Sequence, residues 1–397
     1  MVKVGEEFVR TEVQFIPAKL KVIDHYRETY ECRSCRKNGT PYMEKAPVPY
    51  PPVLHSLASA STITWLIHQK FELSIPLYRQ EKEWEALGLR LSRATMSNWL
   101  LVVYRDWLVH IVHRLKLELL KQRYLHIDET HVQVLKEPGR KNTSDSYMWV
   151  YCSIRDAVNP IRYFEYQPGR SGKYPEAFLR EYEGYIHTDA YSGYNAVSGV
   201  KRCLCYTHLR RAFVDALPKD IHNSEASKPA EAILRLNQLF NIESELEALP
   251  PDQKKKERLI REKPLLEAFW SWAEKSAIGE LPKSKLSKAF HYALNNREGF
   301  WNYLEDGNCS ISNSLAENCI RPFVIGRKNW LFSGSPKGAE ASAGIYTLVE
   351  TAKANGLAPM KYIKYILSDM PGSAFLEHPE YLDDYLPWNP LVKEFCR

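Results

Sequence analysis

The chain of 397 residues has no run of about 18 uninterrupted apolar residues, the length a helix needs to cross a bilayer. Its most apolar stretch, WLLVVYRDWLVHIVHRL, is broken by Arg105 and Asp106, and Met1 is not followed by a secretory pattern. A membrane span and export are therefore not expected, and a cytoplasmic protein is. Cysteine is sparse: eight residues in a chain of this size make no disulfide framework, and the spacings CRSC and CLCYTH read as reduced thiols. Neither sign of charge dominates, since 54 Lys and Arg stand against 48 Asp and Glu, a surplus of six too small to name a partner. No repeat recurs at 20 to 50 residues and no low-complexity tract extends beyond short Pro and Lys runs, which excludes a solenoid or a disordered array. What remains, 44% hydrophobic and 26% charged, suits a globular chain of two or three domains.

Residues 1–50 alternate apolar and polar side chains up to a Cys-x-x-Cys turn and read as short strands, after which PYMEKAPVPYPP breaks regular structure. Residues 51–120 have helical periodicity. Within them IPLYRQEKEWEALGLRLSRATMSNWLL reads as a helix, a turn at Gly88 and a second helix capped by Ser92, a helix-turn-helix arrangement. Residues 121–215 change to strands: YLHIDETHVQVL, SYMWVYCSI and PIRYFEYQ as a meander, a helix in KYPEAFLREY, then GYIHTDAY and KRCLCYTH, the last running into the helix LRRAFVDAL. Read as strand-strand-strand-helix-strand-helix-strand, this is the order of a ribonuclease H-like core in a mixed α/β fold. Residues 216–305 read as a charged helical insertion with DQKKKERLIREK as its most basic run. Residues 306–358 return to compact motifs and complete the core, leaving 359–397 as a C-terminal segment.

Three acidic residues stand out by position: Asp128 in mid-strand, Asp189 at a strand end, and Glu317 near a helix start. Burying a carboxylate in a strand is costly unless a cation compensates it, and hard oxygen ligands from separate elements suit magnesium or manganese. A two-metal site of this kind cleaves or joins phosphodiesters by in-line displacement. Each residue also has a plainer reading: an Asp at a strand end is often a turn former, and SLAE from Ser314 to Glu317 matches a helix capping box. On an ideal helix Glu317, Arg321 and Lys328 fall within about 40° of one another, which sets two cations beside the acidic face as phosphate contacts. Pro322 is expected to kink or end that helix, which favours Arg321 over Lys328. Lys201, Arg202, Arg210 and Arg211 around CYTH, and Arg327, Lys328, Trp330 and Lys337 after the Glu, interleave basic and aromatic groups as nucleic-acid surfaces do. A solvated charged face explains any one of them equally well.

Together the motifs LSRATMSNW, YLHIDET, GYIHTDAYSGY, CYTHLRRAF, LAENCIRPFVIGRKNWLFSGS, ETAKANGLAP and YLPWN resemble the transposases of the bacterial insertion sequence 66 family, DDE-type recombinases. The resemblance covers nearly the whole chain. It implies a DNA transposase that cleaves at terminal inverted repeats and joins the ends to target DNA, with Asp128, Asp189 and Glu317 as the catalytic triad holding two Mg2+ (or Mn2+), Asp128 bridging both. It casts Cys205 and His208 as structural support; by spacing alone Cys203 could add a third zinc ligand beside them, which is a weak signal. It casts Arg321, Lys328, Arg327, Arg210 and Arg211 as DNA contacts in a homo-oligomer on DNA, with accessory proteins of the same element, at the nucleoid. The family's N-terminal zinc segment usually carries two Cys-x-x-Cys pairs, whereas only Cys32 and Cys35 are present here. Two thiolates do not complete a tetrahedral zinc site, so His25 or a partner chain would have to contribute. Residues 1–50 are thus expected to be a partial zinc-ribbon-like segment of an N-terminally shortened frame. That departure keeps open a second reading, a catalytically inactive DNA-binding regulator using the Ser92–Leu101 helix. A nuclease acting on RNA-containing duplexes would leave the ENCIRPFVIGRKNW segment unexplained.

Overall fold

The computed structural model describes every residue except Met1, Lys3, Pro17 and 219–226. Among the described residues up to Glu28 there is no strand. Alternation alone does not hold a strand without a surface to pair with, and here Val13 and Phe15 are 96% and 85% exposed. The expected N-terminal strands reduce to a two-stranded ribbon, β1 (Thr29–Glu31) and β2 (Met43–Lys45), flanking the short helix α1 (Arg33–Lys37) within the Cys-x-x-Cys turn. β2 lies inside the proline-rich run that the sequence suggested was irregular.

Four helices follow: α2 (Ala60–Ile67), α3 (Leu77–Ala86), α4 (Arg93–Val103) and α5 (Val109–Leu120). The turn between α3 and α4 uses Gly88 at φ +88°, a conformation that side chains with a Cβ rarely adopt. Ser92 caps α4 as expected, its Oγ accepting the Thr95 N–H at 3.1 Å. α2 continues into a π-helical turn, His68–Glu72, which carries Lys70 and Phe71 to the base of α4. No helix among the described residues is long and apolar enough to cross a membrane.

The mixed sheet comprises β3 (Tyr124–Val134), β4 (Asp145–Ser153), β5 (Arg162–Gln167), β6 (Gly184–Thr188), β7 (Val200–Leu204) and the two-residue β8 (Phe332–Ser333). Its order is β5-β4-β3-β6-β7, with β8 pairing β3. β4 runs antiparallel to both β3 and β5, whereas β6 and β7 are parallel to β3. The helix α6 (Lys173–Phe178) joins β5 to β6. Where the sequence order called for a second full helix before β7, the chain makes only a one-turn 3-10 segment, Ser192–Ala196. β3 is the central strand, and its neighbour β4 is deeply buried, with Trp149, Val150, Tyr151 and Cys152 all inaccessible to solvent.

α7 (Tyr206–Val214), α8 (Lys228–Glu245), α9 (Pro251–Glu257), α10 (Lys263–Ala277), α11 (Lys285–Asn295) and α12 (Arg297–Trp301) build a second apolar core of Phe213, Phe269, Trp270, Phe290 and Phe300 against β7. The chain then returns through α13 (Ser314–Trp330), α14 (Pro336–Ala354), α15 (Pro359–Asp369) and α16 (Pro390–Cys396) to the main core. α14 covers the outer strand β5: the hydroxyls of Thr347 and Thr351 accept the N–H groups of Phe164 and Arg162 at 2.8 and 3.0 Å. An edge strand is thereby closed to further pairing.

The basic run of the helical segment is only partly a free cationic face: Lys255, Lys256 and Lys263 are exposed, while the other three cations are paired. Arg258 is fully buried in an ion pair with Glu243, and it donates to the carbonyls of Tyr303, Asp306 and Cys309 at 3.2, 3.1 and 2.8 Å. Lys254 shares Glu243, and Arg261 pairs with Glu245. Arg258 thus fixes the loop that leads into α13. Removing one partner of a buried ion pair leaves the other uncompensated, so Arg258→Met is expected to cost about 3–5 kcal/mol. Urea denaturation would measure it, and a loss below about 1 kcal/mol would show that Glu243 and the loop carbonyls find other partners.

Candidate active site

The register of β3 against β6 brings the first two carboxylates together. His126 pairs with His187 across the parallel strands, so two residues further on Asp128 stands beside Asp189, just past the end of β6. Residues two apart on a strand share a face, and neighbouring strands lie about 4.8 Å apart. The stacked rings of His126 and His187, 4.2 Å between centres, mark the face that both aspartates share.

Asn313, buried just before α13, pins the third carboxylate over that face. Its Nδ2 donates to the Ile127 carbonyl at 2.8 Å, and its Oδ1 meets His126 Nδ1 at 2.9 Å. Its own N–H donates to Cys205 Sγ at 3.1 Å. Glu317 follows one helical turn later. The capping-box reading fails: Asn313 occupies the cap position, its side chain is committed to β3, and Ser314 already lies within the helix. His187 steadies the preceding loop, with Nδ1 against the Leu125 carbonyl and Nε2 accepting the Ser310 N–H at 2.8 Å.

Cys205 and His208 also converge on Glu317, the three ligand atoms lying within 4.8 Å of one another. His208 Nδ1 is 3.7 Å from one Glu317 oxygen and Arg211 is 3.9 Å from the other. The nearer oxygen is buried with no hydrogen-bond partner. Cys205 itself is drawn below the usual thiol range, the pull of His208 and the Asn313 N–H outweighing the burial that works to raise it. Cys203, considered as a third ligand beside them, instead faces His187 and Cys309. Both ring nitrogens of His187 are already engaged, so that second cluster reads as packing.

Asp189 fills its plainer role as well, accepting the Tyr191 N–H at 2.9 Å. Arg202 braces the same turn by donating to Thr188 Oγ1 and to the carbonyls of Asp189 and Tyr191 at 2.7, 2.6 and 2.8 Å. Arg170 was not singled out by sequence. It pairs with Glu129 at 2.6 Å, reaches Asp189 at 3.8 Å and lies over the Tyr191 ring. Asn313 and Arg170 carry no motif of their own, because each acts on residues of other elements, Asn313 on β3 and Arg170 on Glu129, Asp189 and Tyr191.

The expected cations divide. Arg321 and Lys328 are exposed on α13. Arg327 turns back onto β3, bonding Thr130 Oγ1 at 3.0 Å and the His131 carbonyl. Arg210 donates to Asn237 on α8 at 2.7 Å, while Arg211 remains exposed beside Glu317. α13 runs unbroken through Pro322, contrary to the expected kink or end. The hydrogen bond that Pro322 cannot make would have gone to the carbonyl of Asn318, an exposed residue that water can satisfy.

Burial, the adjacent Glu129, and then Asp189 and Glu317 push the Asp128 carboxyl up to about 7, against the pull of the Glu129 N–H. Among the described residues no cation of the chain pairs with it. A buried carboxylate among like charges, with an unpartnered Glu317 oxygen nearby, fits a hard divalent cation. The three carboxylates are not all within 4.8 Å of one another, since Glu317 leans toward His208. Cys32 and Cys35 do not fit zinc by themselves: among the described residues no third ligand, His25 included, joins them.

A family model described as Transposase IS66 family matches residues 55–341, and one described as zinc-finger binding domain of transposase IS66 matches residues 1–36. Similar curated proteins come from Sinorhizobium fredii. Uncharacterized protein y4hP is 26% identical over 97% of this chain and 71% of its own length. Uncharacterized proteins y4jD and y4qI are 26% and 27% identical, over 95% and 98% of this chain and 74% and 72% of their own lengths.

Because the folded Asp128 holds its proton up to about 7, its charge costs the fold nothing near pH 3 and progressively more as pH rises through 4 to 7. Asp128→Asn is therefore expected to melt several degrees higher than wild type at pH 8 without metal, the difference shrinking toward pH 4. Magnesium should stabilise wild type more than the variant. Calorimetry across that range checks it, and equal melting at pH 8 would mean that the carboxylate is already compensated.

Proposed function

The chain belongs to the transposase IS66 family, and on that footing we propose that it is a DDE transposase, cutting DNA at the ends of its element and joining the freed 3′ hydroxyls to target DNA. The observation that carries this reading is the shared face of Asp128 and Asp189, with the Glu317 helix pinned above it by Asn313. The strand order β5-β4-β3-β6-β7, with β4 antiparallel to its neighbours, supports a ribonuclease H-like core.

In this reading Asp128, Asp189 and Glu317 hold magnesium or manganese, which when bound polarises the attacking water or 3′ hydroxyl and steadies the departing oxygen. The chain's own contribution is position. Asn313 and His126 hold the start of α13 on β3, which keeps Glu317 one helical turn from that anchor. Cys205 and His208 keep that side chain within reach. Arg170 and Arg211, at opposite sides of the cluster, offer cationic forks to phosphate oxygens. The buried histidine pair behind the aspartates excludes water from one side, which strengthens every charge interaction in front of it. The same surface would hold DNA as a homo-oligomer, with any zinc at Cys32 and Cys35 completed by ligands from outside the pair.

The test is strand cleavage of a labelled duplex carrying the element's terminal repeats, with magnesium, manganese or chelator. Metal-dependent cutting that falls to background in Asp128→Asn is expected. Binding without cutting under any metal would replace the enzyme with the DNA-binding regulator. Asn313→Ala should lower the cleavage rate about 100-fold through misplacement of Glu317, with DNA affinity unchanged; wild-type rates in that variant would remove Asn313 from the positioning role.

A further inference from the structure

A cavity of about 90 Å3 opens where the turn after α2, the helix α4 and the segment joining α13 to α14 meet. At ~30 Å3 per water it has room for about three, too little for a nucleotide and enough for one tetrahedral anion. Its cation is Lys70, half-buried, with Nζ 5.4 Å from the ring centres of both Phe71 and Trp330. Among the described residues Lys70 pairs with no carboxylate, and no acidic side chain lines the cavity. Burial draws the ammonium down to about 8.

The rest of the lining is mostly apolar, with Leu77, Leu100, Leu101 and Ile345 among it, and a few polar groups are set between them. Ser97 comes from α4, and Gly338 and Ser342 come from the first turns of the 19-residue α14, the end at which a helix carries partial positive charge. Trp330 is held in place from behind, since a Cβ at Gly326 would meet its ring at 2.0 Å. The chain leaves the tryptophan through Leu331 at φ +67°, a strained conformation for a side chain with a Cβ, which delivers Phe332 to its pairing with Gln133 on β3. Asp128 lies five residues back along that strand, roughly 16 Å at ~3.3 Å per residue.

We propose that this cavity is a phosphate subsite that grips one backbone phosphate of the bound DNA, with Lys70 as its cation, Ser97 and Ser342 as neutral donors, and Trp330 as its wall. The inference rests on the reading of the chain as a DNA-processing enzyme. It adds an anchoring point shared by α4 and the helix that carries Glu317.

The experiment uses the full chain in chelator, so that binding is read without cleavage. Affinity for a labelled terminal-repeat duplex is measured against salt. Losing one phosphate contact flattens the slope of log affinity against log salt by about 0.9, which is expected for Lys70→Gln and not for Lys70→Arg. Uncharged methylphosphonates placed one position at a time should weaken wild type at a position to which Lys70→Gln is indifferent. Acetylation footprinting of wild-type protein by mass spectrometry serves if the glutamine variant misfolds: Lys70 should react in the free protein and be protected by duplex. An unchanged slope with Lys70 unprotected overturns the proposal. Protection by inorganic phosphate but not by duplex also overturns it, making this a free-anion site. Protection by duplex in a chain that never cuts with metal would sink the transposase chemistry and leave the subsite standing.

Discussion

Asp128 stands in the interior of β3 with Glu129, Asp189 and Glu317 around it and, among the described residues, no cation against it, so the fold must carry a cluster of like charges on stability gained elsewhere. That stability is concentrated immediately behind the cluster. β4 is buried on both faces, α14 closes the edge of β5 with two threonine hydroxyls, and a second core seals β7. A charged face on a rigid sheet keeps its geometry when the charges repel, which a loop would not.

The connection from that sheet to Glu317 is polar at every step. Arg258 holds the carbonyls of Tyr303, Asp306 and Cys309; Ser310 is held by His187; Asn313 is held by Cys205, His126 and Ile127. An apolar seam could slide by a fraction of a residue at little cost. A seam of directed, fully used donors and acceptors has one register, because each slip leaves a buried group unpaired. The helical segment between β7 and α13 therefore has a structural task at the site even though it contributes none of the three carboxylates.

Much of this was legible in the sequence because it is local. The strands around Asp128 and Asp189 follow from alternation and β-branched runs, and the Ser92 cap and Gly88 turn follow from residue type. Pairing across 61 residues between the two aspartates was legible only through resemblance to a family, since no local pattern encodes β3 against β6. Asn313 escaped notice because its neighbour Ser314 completes a better-looking cap. Arg327 looked like a DNA contact because charge is visible in a sequence and its acceptor, a carbonyl on β3, is not. The alternation before Cys32 misled for the opposite reason: the pattern was present and the partner surface was not.

α13 is the element in which these observations meet. Its first residue follows Asn313, which is hydrogen-bonded to β3, and its last, Trp330, lines the Lys70 cavity. Seventeen residues at about 1.5 Å each make a strut of roughly 25 Å, and β8 ties its far end back to β3. Arg327 adds a third fastening in between. A helix fastened to one strand at three points cannot move at one end without moving at the other. In the proposed reading, a phosphate held at Trp330 and Lys70 would pull on the same rigid body that sets the position of Glu317, so the grip on DNA and the cut in its strand would be coupled through α13.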